Sequence, residues 1–184
     1  MSLWLVRHAQ PLVAPGVCYG ALDVPADVQA TQQAAQALAQ VLPAQLAVTV
    51  SPLQRCVQLA QALQTLRPDL GFTHDPRLRE MNFGVWEGVA WTQIPRAALD
   101  TWTADFGEHR FGGAESANQV LQRVGEVWDA WRTEQAPGAW ITHAGVVRAA
   151  QLLEQGQRRV SRADQWPQGA PAFGAWHKLV LTGQ

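Results

Sequence analysis

Leu3-Trp4-Leu5-Val6-Arg7-His8-Ala9-Gln10-Pro11 is the stretch from which the fold of this chain can be worked out. A short apolar run rich in β-forming residues indicates a buried strand, and it ends abruptly at an arginine and a histidine. In open α/β sheets, ligands bind beyond the carboxyl ends of the strands. Arg7 and His8 therefore stand where a ligand would lie, although two solvated residues at a strand end explain this fragment equally well.

The composition indicates one globular domain over residues 1–184. Hydrophobic residues make up 47% of the chain and its formal net charge is -1, so overall charge favours neither a nucleic-acid partner nor a membrane surface. No apolar run approaches the ~18 residues of a membrane span, and we expect a cytoplasmic protein. The two cysteines, Cys18 and Cys56, form no metal-type pair, and Cys56, on the apolar side of a predicted helix, is expected to be a free, buried thiol. The oligomeric state, monomer or homodimer, stays open.

Strand and helix signals alternate along most of the chain. Asp27 precedes a helix to about residue 40, Ser51-Pro52 has the order that starts another helix, and Ser116 with Gln119 forms a capping box for a third. Further strands are predicted over residues 45–50, 70–74, 139–142 and 173–181, the last of them antiparallel at an edge, and a helix over residues 146–155. The alternation predicts a three-layer α/β/α fold with a mostly parallel sheet.

The segment between residues 75 and 113 has weak periodicity. Glycines punctuate it, and tryptophans and phenylalanines lie between them. An irregular insertion of this length is typically functional, and we expect a lid over about residues 81–113. The alternative is a satellite cluster of aromatic rings that only buries itself. Glu87 and Glu115 near the lid either contact the substrate or are solvated.

Polar residues follow three of the predicted strands. The first strand leads into Arg7 and His8, the second leads towards Arg55, and the fourth leads into His143. Parallel strands place these junctions at one edge of the sheet, where helix amino termini also point. Two guanidinium groups and two imidazoles at helix amino termini describe an anion site, with a phosphoryl group as the expected ligand. A zinc site at His8 and His143 is the rival, and it would need carboxylate or thiolate neighbours.

Four blocks of the sequence resemble the histidine phosphatase superfamily, whose fold is the phosphoglycerate mutase-like fold. They are Leu5-Val6-Arg7-His8, Ser51-Pro52-Leu53-Gln54-Arg55-Cys56, Leu78-Arg79-Glu80-Met81-Asn82-Phe83-Gly84-Val85-Trp86-Glu87-Gly88 and Thr142-His143-Ala144-Gly145-Val146-Val147-Arg148. Within the superfamily the chain is most similar to α-ribazole phosphatases of cobalamin nucleotide-loop assembly. The segments that carry this finer resemblance are residues 18–25, the pair Arg55-Cys56 and residues 112–116.

The resemblance implies a role for each residue of these blocks. His8 would attack phosphorus and form a phosphohistidine, and Glu80 would protonate the leaving alkoxide. Arg7, Arg55 and His143 would bind the phosphoryl group, with no metal or other cofactor required. The two arginines would also disfavour the imidazolium form of His8. The substrate would be a small phosphorylated metabolite, with expected contacts at Gln10, Tyr19, Gly20, Trp86 and Ala144.

Several functions remain open at this stage. α-Ribazole 5′-phosphate is the best single substrate, and the tryptophans of the insertion offer faces on which a base-like group stacks. A phosphoglycerate mutase or a sugar-phosphate phosphatase of the same superfamily is the alternative. A phosphohistidine-protein phosphatase fits less well. Ala9 stands where the family usually has glycine, and this departure favours a non-catalytic phosphate-ligand binder, whereas Glu80 favours an enzyme.

Overall fold

The computed structural model describes residues 1–181, and their strands form a five-stranded sheet in the order β3-β2-β4-β1-β5. The strands are β1 Ser2–Arg7, β2 Ala47–Val50, β3 Gly71–His74, β4 Gly138–Thr142 and β5 Trp176–Val180. The first four are parallel, and β5 pairs antiparallel with β1 at one edge. The predicted mostly parallel sheet with an antiparallel edge strand is confirmed.

Helices cover both faces of this sheet. They are α1 Val28–Val41, α2 Gln54–Leu66, α3 Arg96–Ala104, α4 Ala117–Glu134 and α5 Ala144–Glu154. Along β1, Leu3 and Leu5 pack on the side of α4 and α5, whereas Trp4 and Val6 pack on the side of α1 and α2. This alternation gives the three layers that the sequence predicts. None of the helices within residues 1–181 is long and apolar enough to cross a bilayer.

Two of the three predicted helix starts are confirmed. The Asp27 side chain accepts a hydrogen bond from the Ala30 N–H at 2.7 Å, and Ser116 and Gln119 form the capping box of α4. The expectation that Ser51-Pro52 begins α2 is wrong. This helix starts at Gln54, and no side chain caps it. The Ser51 hydroxyl instead lies 2.8 Å from Nε2 of His143, at the carboxyl edge of the sheet.

The insertion between β3 and α4 contains short 3-10 turns and the helix α3, which the sequence analysis did not predict. The helix is short, with nine residues, none of them fully buried, and its partly buried Ala98, Leu99 and Trp102 pack on the aromatic cluster of the insertion. The aromatic rings collect around the fully buried Phe111. Trp102 stacks on it at 4.4 Å between ring centroids, while Trp86 and Trp91 lie at 6.0 Å. Most of this aromatic surface is therefore packed against itself.

Both cysteines are free and buried, which confirms the expectation for Cys56. Cys18 lies in the cluster around Phe111, and Cys56 packs between α2 and the sheet. Cys18 also links the insertion to the loop that follows β1, because its N–H donates to the Val89 carbonyl and its carbonyl accepts from the Gly88 N–H, each at 2.8 Å. The insertion is thereby fixed to the segment that enters the candidate site.

Candidate active site

The candidate site lies at the carboxyl edge of the three central strands. The His8 N–H donates to the Thr142 carbonyl and the Ser51 N–H donates to the Ile141 carbonyl, both at 3.0 Å. These bonds continue the parallel ladders beyond the strands and hold the three loop starts side by side. The rings of His8 and His143 are consequently only 5.1 Å apart, centroid to centroid.

His8 is buried and its tautomer is fixed by the backbone. Its Nδ1 lies 2.7 Å from the carbonyl oxygen of Ala9, and because a carbonyl only accepts, Nδ1 carries the proton. The lone pair of Nε2 then faces Arg55, whose Nε–H donates to it at 3.3 Å. Burial first, and the charges of Arg55 and Arg7 next, lower the pKa of His8 to about 3. The imidazole is therefore neutral, with Nε2 available as a nucleophile.

Arg55 is fully buried beside this lone pair. Besides His8 it donates to the carbonyl oxygens of Leu22 at 2.9 Å and Gly20 at 2.6 Å. The guanidinium group also lies 5.5 Å from the centre of the Tyr19 ring. The planar guanidinium group of Arg55 is therefore hydrogen-bonded both to His8, the candidate nucleophile, and to the loop of residues 20–22.

The same loop is held from its other side by Glu87. The N–H groups of Gly20, Ala21 and Leu22 donate to the Glu87 carboxylate at 2.9 to 3.0 Å, and the Phe83 N–H donates to it at 2.9 Å. The sequence predicts either a substrate contact or a solvated residue at Glu87, and neither describes its four bonds to backbone N–H groups. Its carboxylate joins the insertion to the loop that Arg55 binds.

His143 is fully buried at the start of α5. Its Nε2 lies 2.8 Å from the Ser51 hydroxyl and 3.5 Å from the sulfur of Cys56. Burial, and after it the charges of Arg55 and His8, hold the pKa of His143 well below its usual range. Burial also raises the pKa of the Cys56 thiol, so no thiolate is present. Within residues 1–181 no group of three or more histidine, cysteine, aspartate or glutamate side chains is arranged to hold a metal ion.

Arg7 reaches the site against a C-terminal segment that sequence analysis did not connect to it. Its guanidinium group lies 3.8 Å from the centre of the Phe173 ring and donates to the Pro171 carbonyl at 3.0 Å. The Phe173 ring is also 5.5 Å from the His8 ring. The Nε of Arg7 is buried and has no hydrogen-bond partner in residues 1–181. This N–H is left for an anion that enters the site.

Glu80 is positioned by two backbone donors. Its Oε1 accepts from the Met81 N–H and its Oε2 from the Gly145 N–H, both at 3.0 Å. Gly145 lies two residues after His143, so the carboxylate stands at the amino terminus of α5 beside the candidate phosphoryl site. A Cβ atom at position 145 would overlap Oε1 of Glu80. The glycine is therefore the residue that admits the carboxylate.

Replacing Gly145 with alanine is expected to lower kcat about 100-fold by displacing the Glu80 carboxylate, since a shift of about 1 Å in a catalytic group costs that much. Steady-state hydrolysis of an alkyl phosphate measures the effect, with circular dichroism as the check on folding. Alanine at the helical glycine Gly125, where a Cβ would meet only ordinary contacts at 3.5 Å and beyond, is the matched control. An unchanged kcat in the Gly145 variant would contradict the geometry.

The other predicted substrate contacts lie at different places. Gly20 is buried behind Arg55, Tyr19 is half-buried facing the same guanidinium, and Ala144 is half-buried at the first position of α5. The Gln10 side chain is exposed, and its carbonyl accepts from the Asp27 N–H. Trp86 packs in the cluster around Phe111. Gly20 and Tyr19 thus lie beside Arg55, Ala144 lies beside His143, and Trp86 lies within the insertion.

The depressed pKa of His8 makes stability depend on pH. The unfolded chain takes up a proton on this histidine below its ordinary pKa of 6.5, whereas the folded protein does so only near 3. The stabilisation is therefore complete above pH 6.5 and is lost as the pH falls towards 3, by about 2 kcal/mol between pH 7 and pH 5. His143 acts in the same direction. Urea unfolding at both pH values measures this loss, and the His8→Asn variant should show a smaller one.

Comparison with known proteins agrees with the fold described above. The family model of the histidine phosphatase superfamily (branch 1) matches residues 3–170. A search of curated proteins found no match. The structure of TTHB049 from Thermus thermophilus is similar to this one with a TM-score of 0.73 at 29% identity, covering 97% of this chain and 93% of the other.

Two structures of a mycobacterial enzyme show the same fold. Glucosyl-3-phosphoglycerate phosphatase Rv2419c in its native form matches with a TM-score of 0.80 at 22% identity, covering 97% of this chain and 89% of the other. Its complex with inorganic phosphate matches with a TM-score of 0.79 at 25% identity and the same coverage. The family model covers most of the chain, and the sheet with helices on both faces agrees with it. The chain therefore belongs to the histidine phosphatase superfamily, branch 1.

Proposed function

We propose that this protein is a metal-independent phosphomonoesterase that works through a phosphohistidine at His8. One observation carries the proposal. The proton of His8 is held on Nδ1 by the Ala9 carbonyl, and the unprotonated Nε2 accepts a hydrogen bond at 3.3 Å from the Nε–H of the buried Arg55. A nucleophile and the charge that stabilises its phosphoryl acceptor are thereby preorganised in one place.

The reaction has two steps. The Nε2 lone pair of His8 bonds to phosphorus while the ester P–O bond breaks, and Glu80 gives its proton to the departing alkoxide. Glu80 then removes a proton from water, the oxygen of which attacks phosphorus and releases inorganic phosphate and free His8. Arg55, Arg7 and His143 surround the equatorial oxygens, and each guanidinium group keeps N–H donors that no protein acceptor uses.

The position of Glu80 favours an enzyme over a protein that only binds phosphate ligands. Binding a phosphate needs cations and N–H donors, which the two arginines and the start of α5 supply. An ionised carboxylate beside the bound phosphate would repel it and weaken binding. A carboxyl group at this position is useful only if it gives a proton to the leaving group. Two backbone N–H groups nevertheless fix Glu80 at this place. The geometry therefore supports general acid catalysis.

For the substrate we propose a small phosphorylated metabolite. We further propose that the chain is a single cytoplasmic domain and that residues 81–113 form a lid over the site. α-Ribazole 5′-phosphate is the first candidate, because residues 18–25 and 112–116 resemble the phosphatases that act on it. The similar mycobacterial enzyme suggests glucosyl-3-phosphoglycerate as the second. A phosphoglycerate mutase activity is the third candidate within the superfamily. Trp86, Gln10, Tyr19, Gly20 and Ala144 are proposed contacts.

The test is hydrolysis of these esters in the presence of EDTA by wild type, His8→Asn and Glu80→Gln. In a second measurement, the phosphoryl group of the ester is radiolabelled and the reaction is quenched in alkali, in which phosphohistidine survives. Label should remain on the wild-type protein and not on His8→Asn. Glu80→Gln should slow transfer of the phosphoryl group to His8 from alkyl esters about 100- to 10,000-fold, and from p-nitrophenyl phosphate much less, because p-nitrophenolate leaves without a proton. The comparison is made on the first turnover, since hydrolysis of the phosphohistidine also uses Glu80. Turnover that survives in His8→Asn overturns the mechanism. Ligand binding without any turnover favours the phosphate binder.

A further inference from the structure

A cavity of about 350 Å³ borders Glu80 on the side of the insertion. Ala21 contributes to its wall from the loop that Arg55 and Glu87 hold, and Glu80 lies between the cavity and the start of α5. The remaining wall comes from the segment around Arg79 and from the amino-terminal part of α4. Its volume is within the range of pockets that take small molecules.

The hydrogen-bond acceptors of this cavity are already used by the protein. Both oxygens of Glu80 accept backbone N–H groups. Glu115 accepts from the Asn82 N–H at 3.1 Å and from Arg123 at 2.7 Å. The side-chain oxygen of Asn82 accepts from the Gly84 N–H, and that of Gln119 accepts from the Ser116 N–H. An entering ligand therefore finds few acceptors without partners.

The hydrogen-bond donors that line the cavity, in contrast, are mostly without acceptors in the described part of the chain. The Arg79 guanidinium group is exposed and has no acceptor or ion-pair partner within residues 1–181. The amide NH₂ groups of Asn82 and Gln119 likewise have no acceptor there, although each amide oxygen accepts a backbone N–H. Arg123 is committed to Glu115 and to the carbonyls of Arg77 and Arg79. The cavity thus presents free donors and one uncommitted positive charge.

We propose that this cavity is the leaving-group subsite and that Arg79 binds an anionic group, a carboxylate or a second phosphate, on the alcohol part of the substrate. The inference rests on the proposed function, because a proton donor must lie within hydrogen-bond reach of the leaving oxygen. The remainder of the leaving group then extends from Glu80 into the space that the carboxylate borders. Free donors and a free cation select acceptor-rich, negatively charged groups. Among the proposed substrates this favours glucosyl-3-phosphoglycerate and phosphoglycerate, whose alcohol parts carry a carboxylate, over α-ribazole 5′-phosphate, whose alcohol part is uncharged. Arg79 is accordingly a specificity-determining residue.

The test compares matched pairs of esters. Alkyl phosphates of increasing length are set against the same chains ending in a carboxylate, so that the reach of Arg79 need not be known beforehand. In the Arg79→Gln variant, kcat/KM for the best carboxylate ester should fall about 10- to 100-fold, the effect of losing a charge-assisted hydrogen bond. The matching alkyl ester and p-nitrophenyl phosphate should change by less than about twofold. Arg79→Lys should recover part of the loss.

The Arg110→Gln variant is the control. Arg110 is an exposed arginine of the same insertion that does not border the cavity, so it removes the same charge without touching the proposed subsite. Equal losses in the two variants would show long-range attraction only and overturn the proposal, as would equal losses on carboxylate and alkyl esters.

Binding of the same ester pairs to the His8→Asn variant, by calorimetry, separates this proposal from the proposed function. A preference for carboxylate esters that disappears on adding Arg79→Gln supports the subsite even where wild type turns over none of them. A missing preference overturns the subsite even where hydrolysis proceeds through His8. The two ideas therefore fail on different observations.

Discussion

Replacing Arg55 with lysine is expected to lower kcat by roughly 1,000-fold or more, which is the effect of losing an arginine that stabilises a transferring phosphoryl group. Lysine keeps the charge but concentrates it at one nitrogen. It cannot donate to His8, Gly20 and Leu22 together, as the guanidinium group does. The carbonyl groups of Gly20 and Leu22 lose a donor, and the loop of residues 20–22 loses one of the two side chains that hold it.

The measurement is steady-state hydrolysis at saturating substrate, alongside the free energy of unfolding. Arg67→Lys is the matched control, because Arg67 also donates to several carbonyl groups, those of Ala39, Leu42 and Pro43, at the far end of the same helix. It should lose stability while kcat stays within about twofold. If Arg55→Lys retains kcat within tenfold of wild type, the role assigned to Arg55 is wrong.

Replacing Glu87 with alanine is expected to lower the free energy of unfolding by about 3 kcal/mol, and kcat with it. The carboxylate accepts four backbone N–H groups, and hydrogen bonds to a charged acceptor contribute about 1.5 to 3 kcal/mol each before non-additivity is considered. The loop of residues 20–22 would then be held by Arg55 alone. Because this loop also fixes Arg55, the cation beside His8 loses its position.

Urea unfolding and kcat are measured together for this variant. Asp69→Ala is the control, since the Asp69 carboxylate also joins a backbone N–H, that of Gln45, to an arginine, but away from the site. It should lower stability without lowering kcat of the folded protein. A Glu87 variant that is destabilised and yet retains full kcat would show that the carboxylate supports only the insertion and not Arg55.

The parts of the fold that the sequence predicts well are those encoded within a few residues. The apolar alternation of β1, the Asp27 cap and the Ser116 capping box each depend on neighbours along the chain. The meeting of His8 and His143 was also predictable, because parallel strands bring their carboxyl ends to one edge.

The remainder depends on contacts between distant segments. Ser51 looks like a helix cap in the sequence, but its hydroxyl contacts a histidine 92 residues later. The contacts of Glu87 with residues 20–22 span more than 60 residues, and those of Phe173 with Arg7 come from opposite ends of the chain. A carboxylate that accepts backbone N–H groups leaves no periodic pattern, since any backbone supplies such donors.

The place of β1 in the sheet has a consequence for how the protein is made. Its two neighbours are β4, over residues 138–142, and β5, over residues 176–180. β1 precedes both of these neighbours in the chain, so during synthesis this apolar strand has no partner in the sheet until β4 has followed it. Such late pairing gives slow folding and exposes a strand that aggregates readily. The candidate site can therefore form only after β4 has been made, because His143 follows that strand and lies beside His8.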